Sequence, residues 1–311
     1  MMGNKLYHYI MIGLALISGC RAEVSTDLPD HIDGLENFTV YSNNIEPVHD
    51  IIMTRQVVYS ENENVMWGRV IMDVAVDSNG SVYISDMVNG TIHVDDGDYL
   101  IFFGSEEFGG PKNEGQTIET SRFSALKDKY IRHDIHSFRA DGTAIFGNGI
   151  TISDGAYMPR AHIGYTSDNI VYAWGEEMLF KVYDSDGDYM YLFYYPYQNI
   201  RVKSDHISKH YVNLNDEMSL FLEKQAPETW PAFNDLIVDD SNRLWVSAII
   251  DDFEVYQWWV LKVDTGELLA RFEWHRDKPI LVVRNGHMYT RERDEETGLQ
   301  QIVRYRIGME K

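Results

Sequence analysis

Ten residues of this chain are written almost twice. VDSNGSVYIS occupies Val76–Ser85 and VDDSNRLWVS occupies Val238–Ser247, 162 positions apart. Each copy is a β-branched run, an Asp/Asn-rich turn and a second run with an aromatic at its centre, which is the composition of a hairpin. A hairpin that recurs at a distance constrains architecture more than any local propensity, because a repeated unit that cannot bury its own faces must stack on its copies.

Other fragments fall into the same unit. IHVDDGDYLIFFG (Ile92–Gly104) and IHSFRADGTAIFG (Ile135–Gly147) begin and end alike, and Gly turns at Gly97, Gly142 and Gly187 are 45 residues apart, with a fourth at Gly266. Upstream of each unit's later strands lies an aromatic strand, centred on Tyr83, Tyr130, Tyr172, Trp245 and Tyr289. Four strands in 40–45 residues is the signature of a propeller blade. The fold expected is therefore all-β, a propeller of four-stranded blades. Five are legible, and room for a reduced sixth lies at 148–165 or within an interruption at 203–226. That interruption reads as a helix: Ser204 suits an N-cap, and Leu214, Met218, Phe221 and Leu222 form one apolar stripe before Ala226-Pro227. The last copy shows three strands and then stops. Ring closure predicts that the missing outer strand comes from the N-terminal side, either QVVYSE (56–61) or NFTVYS (37–42).

The N-terminus carries the most specific short motif. Lys5, then the apolar Ile10–Ile17, then Ile17-Ser18-Gly19-Cys20 has the order of a signal peptide. The apolar stretch is too short to span a bilayer, which needs about 20 residues. Small residues before a cysteine resemble a bacterial lipobox, so Cys20 is the expected lipidation site and the anchor to the membrane. The organisation expected is a signal peptide at 1–19, an acidic tether at 20–50 and a single propeller domain at 51–311. Arg21 follows the cysteine where an inner-membrane protein of enteric bacteria has Asp, so the outer membrane or periplasmic side of a bacterial envelope is the expected address. Cys20 is the only cysteine, which leaves no disulfide, cysteine nucleophile or cysteine-based zinc site. The formal charge of −22 repels phosphates, so nucleic acid is not an expected partner.

MDVAVDSNGSVYISD resembles an NHL-type repeat, and the order of features resembles the bacterial six-bladed β-propeller lipoproteins. The counterparts are EEFGGPKNEG (Glu106–Gly115), the helical interruption, and WPAFNDLIVDDSNRLWV (Trp230–Val246) followed by WWVLKVDTGELLARF. The resemblance spans roughly residues 65–311 and implies six blades and a secreted lipoprotein, but no reaction. Asn242 stands where the turn usually has Gly, and the third-blade region looks truncated.

Candidate sites are few. Arg160 and His162 in MPRAHIGY are two apart, so on an innermost strand both could reach a central channel. IRHDIHSF offers His133 beside Asp134, although His136 would point the other way along a strand. Tyr194 and Tyr195 in FYYPY are candidates for a ligand-binding rim; Trp258-Trp259 read as core. HISKH places His206 and His210 at i and i+4 with Asp205 adjacent, a weak metal pair, and position 207 is Ile where a zincin has its Glu. DSDGDY (Asp184–Tyr189) has part of a calcium-loop spacing, but Tyr189 stands where Gly is needed, so a blade turn is the plainer reading. No cofactor is required by any motif; calcium or zinc are the only ions the spacings suggest.

Three functions fit: an envelope-anchored binding scaffold for a protein, peptide or glycan; a metal-dependent, lactonase-like hydrolase or lyase using the channel; or a structural component of an envelope assembly. Arg160, His162 and acids clustered at the channel mouth would favour the enzyme, and exposed rim aromatics the scaffold. The lipobox reading has its own test: labelled palmitate enters the wild-type chain in a bacterial host and is absent from Cys20→Ala.

Overall fold

The structure, a computed structural model, describes residues 32, 35–42, 44–60, 70–86, 91–94, 99–100, 117–119, 122–124, 129–132, 137–139, 143–145, 151–153, 159–203, 206 and 227–310. Residues 1–35 and 36–311 form separate compact units, and all the described strands lie in the second. Cys20, His133, Asp205, His210 and nearly all of the 203–226 interruption lie outside the described residues.

The strands follow the repeat. β1 (Phe38–Val40) and β2 (Asp50–Tyr59) come first, then β3 (Ile71–Val76), β4 (Val82–Asp86), β5 (Thr91–Val94) and β6 (Tyr99–Leu100), an antiparallel four-stranded meander. Between 117 and 153 lie three two-stranded pairs. These are β7 (Thr117–Glu119) with β10 (Ser137–Arg139), β8 (Arg122–Ser124) with β9 (Lys129–Arg132), and β11 (Thr143–Ile145) with β12 (Thr151–Ser153). β13 (Ala161–Tyr165), β14 (Asn169–Trp174), β15 (Met178–Asp184) and β16 (Tyr189–Tyr195) make the next full meander. β17 (Phe233–Val238), β18 (Arg243–Ala248), β19 (Val255–Lys262) and β20 (Leu268–His275) make another. β21 (Ile280–Arg284), β22 (His287–Arg293) and β23 (Gln300–Glu310) make three strands of the last, and β2 supplies its fourth. Consecutive blade-like sheets with an N-terminal strand completing the C-terminal one are the topology of a β-propeller.

The repeated decapeptides are the inner hairpins β3–β4 and β17–β18, and their turns are built alike. Asp77 Oδ1 accepts the amides of Asn79 and Ser81, and Asp239 Oδ1 accepts those of Ser241 and Arg243. The fourth turn residue is left-handed in both: Gly80 at φ 92° and Asn242 at φ 55°. Asn tolerates that region better than other side-chain-bearing residues, which is why the missing glycine does not disturb the turn. The second-strand aromatic then reaches back to the carboxylate, Tyr83 hydroxyl to Asp77 at 3.4 Å and Trp245 indole to Asp239 at 2.8 Å. At Asp239 the Arg243 Nε adds an ion pair of 2.6 Å, and the carboxylate is buried.

Core lies between sheets. Phe180, Phe193, Tyr195, Phe233, Trp259 and Leu261 pack the β13–β16 sheet against β17–β20. Trp245, Trp258, Val260 and Met288 pack β17–β20 against the closing sheet, and Ile71, Val74, Ile84, Tyr289 and Ile302 pack that sheet against β3–β6. Trp258 and Trp259 therefore go to opposite faces of one strand, as alternation requires.

Two expectations need correction, and one left between two strands is decided. Within the 148–165 segment, Ala161–Tyr165 is β13, the innermost strand of the β13–β16 sheet, and does not belong to a reduced blade of its own. QVVYSE does close the last sheet, within β2, while NFTVYS makes the separate strand β1, which pairs in parallel with β16. The FYYPY rings are not a rim. Tyr194 and Tyr195 are buried, Tyr195 between the Tyr41 ring at 4.8 Å and the Trp259 ring at 5.3 Å, with its hydroxyl donated to the Gly266 carbonyl. In DSDGDY, Asp184 Oδ1 accepts the amides of Asp186 and Asp188 around Gly187 at φ 86°, which is a blade turn.

The two repeated turns differ in burial, and that sets their energetic weight. Asp239→Asn, which weakens two charge-assisted bonds in a buried setting, is expected to lower unfolding free energy by about 2–4 kcal/mol in urea titrations. Asp77→Asn, at an exposed turn, is expected to cost clearly less; equal losses would mean that burial does not set the difference.

Candidate functional site

The inner strands β13, β17, β21 and β3 run beside one another at the centre of the described sheets. Each of three begins its first turn with an acceptor side chain: Thr166 Oγ1, Asp239 and Asp77 accept turn amides in the same way. Four residues before them stand His162, Asp235 and Asp73. One structural position on three inner strands is thus filled by an imidazole and two carboxylates.

Local geometry explains how the acids are aimed. β3 and β17 each carry a register shift beside the Asp, between Ile71 and Asp73 and between Phe233 and Leu236, and such bulges re-aim side chains. Each Asp then accepts the amide of the following residue at 2.8 Å, Val74 or Leu236. A second-strand serine ties its backbone: Ser85 donates to the Asp73 carbonyl and Ser247 to that of Asp235. β21 has the same shift, between Ile280 and Val282, but only apolar side chains there.

Arg160 precedes His162 on the same face, as the two-residue spacing predicts, and β13 is innermost, as that reading required. Asp235 is pushed up to about 6 by burial, a rise moderated by the Leu236 amide and Arg160 and reinforced by Asp73. His162 is lowered to about 4 by burial and by Arg160. Its ring lies 4.9 Å from that of Phe233, and its Nε2 is buried without a hydrogen-bond partner among the described residues. At neutral pH the cluster is therefore a neutral imidazole with a free ring nitrogen, a carboxylate close to its protonation point and a guanidinium. This set binds polar groups and can exchange a proton.

A wall adjoins it. Arg276 lies over the rings of Phe253 and Tyr256, 4.3 Å from each, and donates to the Val255 carbonyl at 2.9 Å. Tyr256 is raised by burial and senses both Asp235 and Arg160. His206 belongs to this wall and is a correction: it is buried, stacked on Phe253 at 4.1 Å, and its Nδ1 accepts the Trp230 indole N–H at 3.0 Å. That nitrogen is committed to packing rather than to a metal. Among the described residues no three His, Cys, Asp or Glu side chains converge as a metal site would need.

Sequence reading found Arg160 and His162 and missed Asp73 and Asp235. The signal was present, since these two are also 162 apart and lie three residues before the repeated decapeptides.

Proton linkage tests the assignment. Asp235 is raised in the fold, so its contribution is favourable below the unfolded value and is lost as pH rises through about 6. His162 is depressed, so its contribution is present above the unfolded value and is lost as pH falls toward about 4. Asp235→Asn is expected to be more stable than wild type by about 1–3 kcal/mol at pH 7.5, with the advantage vanishing near pH 4. His162→Gln is expected to remove the acid-side loss. Melting temperatures across pH 4–8 read both.

No protein-family model matches the chain, and a search of curated protein sequences finds no match either. Solved structures do match. A member of the DUF4221 family from Bacteroides vulgatus is 8% identical with a TM-score of 0.41, over 85% of this chain and 99% of that one. A Bacteroides fragilis protein named as an exported one is 8% identical with a TM-score of 0.39, over 88% and 100%. A glutaminyl cyclase from Myxococcus xanthus is 11% identical with a TM-score of 0.36, over 86% and 100%. None of the three lends this chain a function.

Proposed function

We propose that this chain is a lipid-anchored β-propeller of the bacterial envelope, NHL-like in its repeats, that binds a small polar ligand at the Arg160–His162–Asp235–Asp73 cluster. Cys20 carries the anchor and the outer membrane is its site. The ligand is a glycan, a peptide or an exposed group of an envelope protein, presented to the inner strands by a rigid body.

The observation that carries this reading is the buried Nε2 of His162, without a hydrogen-bond partner among the described residues, on the inner strand next to that of Asp235, with Arg160 acting on both. A buried polar atom without a partner costs about 1–3 kcal/mol, and a ligand hydroxyl or amide that answers it recovers that cost. A metal-free binding site needs nothing more than these side chains.

A second reading is favoured by one specific observation. An acid near pKa 6 and a neutral imidazole on adjacent inner strands are the two kinds of group that general acid–base chemistry uses, so hydrolase or lyase chemistry at the same cluster is the alternative.

Thermal-shift screening of the full chain in detergent against envelope sugars and peptides separates these outcomes. Binding predicts a ligand that raises the wild-type melting temperature and loses at least about tenfold in affinity on His162→Ala. Turnover of that ligand, abolished by Asp235→Asn, would establish the enzyme instead. A melting temperature that falls on chelation, with stoichiometric metal in the purified protein, would overturn the metal-free site.

A further inference from the structure

At the opposite end of the inner strands, where the first turns gather, lies a cavity of about 380 Å³. The ends of β13, β17 and β21 form it. Val238, Val282 and Val283 give it apolar walls, Tyr165 stands exposed at its rim, and Asp240 and Arg284 bring two opposite charges.

Those charges do not meet. Arg284 Nε is buried without a hydrogen bond, and among the described residues no ion pair joins the guanidinium to any carboxylate. The other acid lining the cavity is already occupied: Asp239 Oδ1 accepts the amides of Ser241 and Arg243, and its Oδ2 accepts Arg243 Nε and the Trp245 indole. Asp240 uses one oxygen, Oδ2, to accept the Asn285 amide at 2.9 Å, which pins the neighbouring turn and leaves Oδ1 open. In a chain with 49 acidic and 27 basic residues, a cation in a cavity with no acid on it is conspicuous. A guanidinium whose Nε is shut off from water without a hydrogen bond carries a free-energy cost, and here the counter-charge sits in the same cavity but apart.

We propose that this cavity binds a small zwitterion, a free α-amino acid with an apolar side chain. Its carboxylate lies on the Arg284 guanidinium, whose fork matches a carboxylate in two parallel bonds. Its ammonium group faces Asp240 Oδ1. Its side chain lies against Val238 and Val282 beneath the Tyr165 ring. A simple carboxylate would meet the Asp240 charge without compensation, and a simple amine would leave Arg284 unanswered, so the pair of charges selects a ligand that has both. This site shares no residue with the His162 cluster and does not depend on it.

The test is titration of the full chain in detergent with L-leucine and L-phenylalanine, followed by melting temperature and by calorimetry. Isovalerate and 3-phenylpropionate serve as carboxylate-only probes, and isopentylamine and phenethylamine as amine-only probes. The amino acids are expected to raise the melting temperature in a saturable way, with both probe classes weaker by at least roughly tenfold. Arg284→Gln and Asp240→Asn should each reduce amino-acid affinity by a similar factor, and unliganded Arg284→Gln should melt no lower than wild type. His162→Ala should bind the amino acids unchanged. Carboxylate-only probes binding as well as the amino acids, or neither amino acid binding, would overturn the proposal. Loss of amino-acid binding in His162→Ala would place the ligand at the other cluster and also overturn it. Should Arg284→Gln fail to fold, Asp240→Asn carries the same test.

Discussion

The antiparallel pairing of Asp50–Tyr59 with Gln300–Glu310 joins residues from opposite ends of the chain, and the rest of the ring depends on it. A blade buries both faces only if it has a neighbour on each side, so one incomplete sheet would expose apolar surface on itself and on the next. The segment that supplies β2 also works before it arrives there. β1 lies along the outer strand β16, His49 forms a parallel bridge to Ala270 on β20, and only then does β2 complete the last sheet. Residues 37–59 thus cover or join the outer strands of three successive sheets. Unpaired outer strands invite association between molecules, and this strap satisfies them within one chain. Tyr41 fastens it, stacked on Tyr195 and donating to the Thr265 carbonyl.

The same closure makes the centre chemically unusual. Four inner strands brought side by side leave little room for water around the side chains that point between them. Gly164 illustrates the crowding: a Cβ there would collide with Val238 on the neighbouring strand. In such a place a carboxylate and an imidazole both resist charging, which is why Asp235 rises and His162 falls although the protein as a whole is strongly acidic. The opposite end of the strands is organised differently. Its turn carboxylate, Asp239, is saturated by amides, indole and guanidinium and serves the fold, while Arg284 and Asp240 face open space without an ion pair between them. One small set of strands thus presents two polar ends, one buried and proton-sensitive, the other a cavity with separated charges.

Much of the fold was legible because blade mechanics are local. An Asp at the start of an inner turn, a left-handed residue at its end and an aromatic on the next strand are short-range requirements, so Asp77, Gly80 and Tyr83 reappear as Asp239, Asn242 and Trp245. Where reading failed, a distant element was responsible. Tyr195 looks like part of a sticky surface until Trp259 of the β17–β20 sheet and Tyr41 of the strap cover it. His206 looks like half of a metal pair until Trp230 and Phe253 claim its ring. β13 looks like part of a remnant in the sequence, yet its pairing with β14 is regular from Ala161 to Tyr165.

The amino-acid sequence by itself determined the repeating unit, its turn chemistry, the alternation that sends Trp258 and Trp259 to opposite faces, and the need for an N-terminal strand at the ring's end. These follow from hydrogen bonding and side-chain period within ten or so residues. Only the tertiary structure decided which polar residues meet. His162, Asp235 and Asp73 lie in three different sheets, and nothing short of stacking those sheets about one axis gives them a shared environment. Their protonation behaviour belongs to that environment as well, because burial is a property of the neighbours and not of the residue.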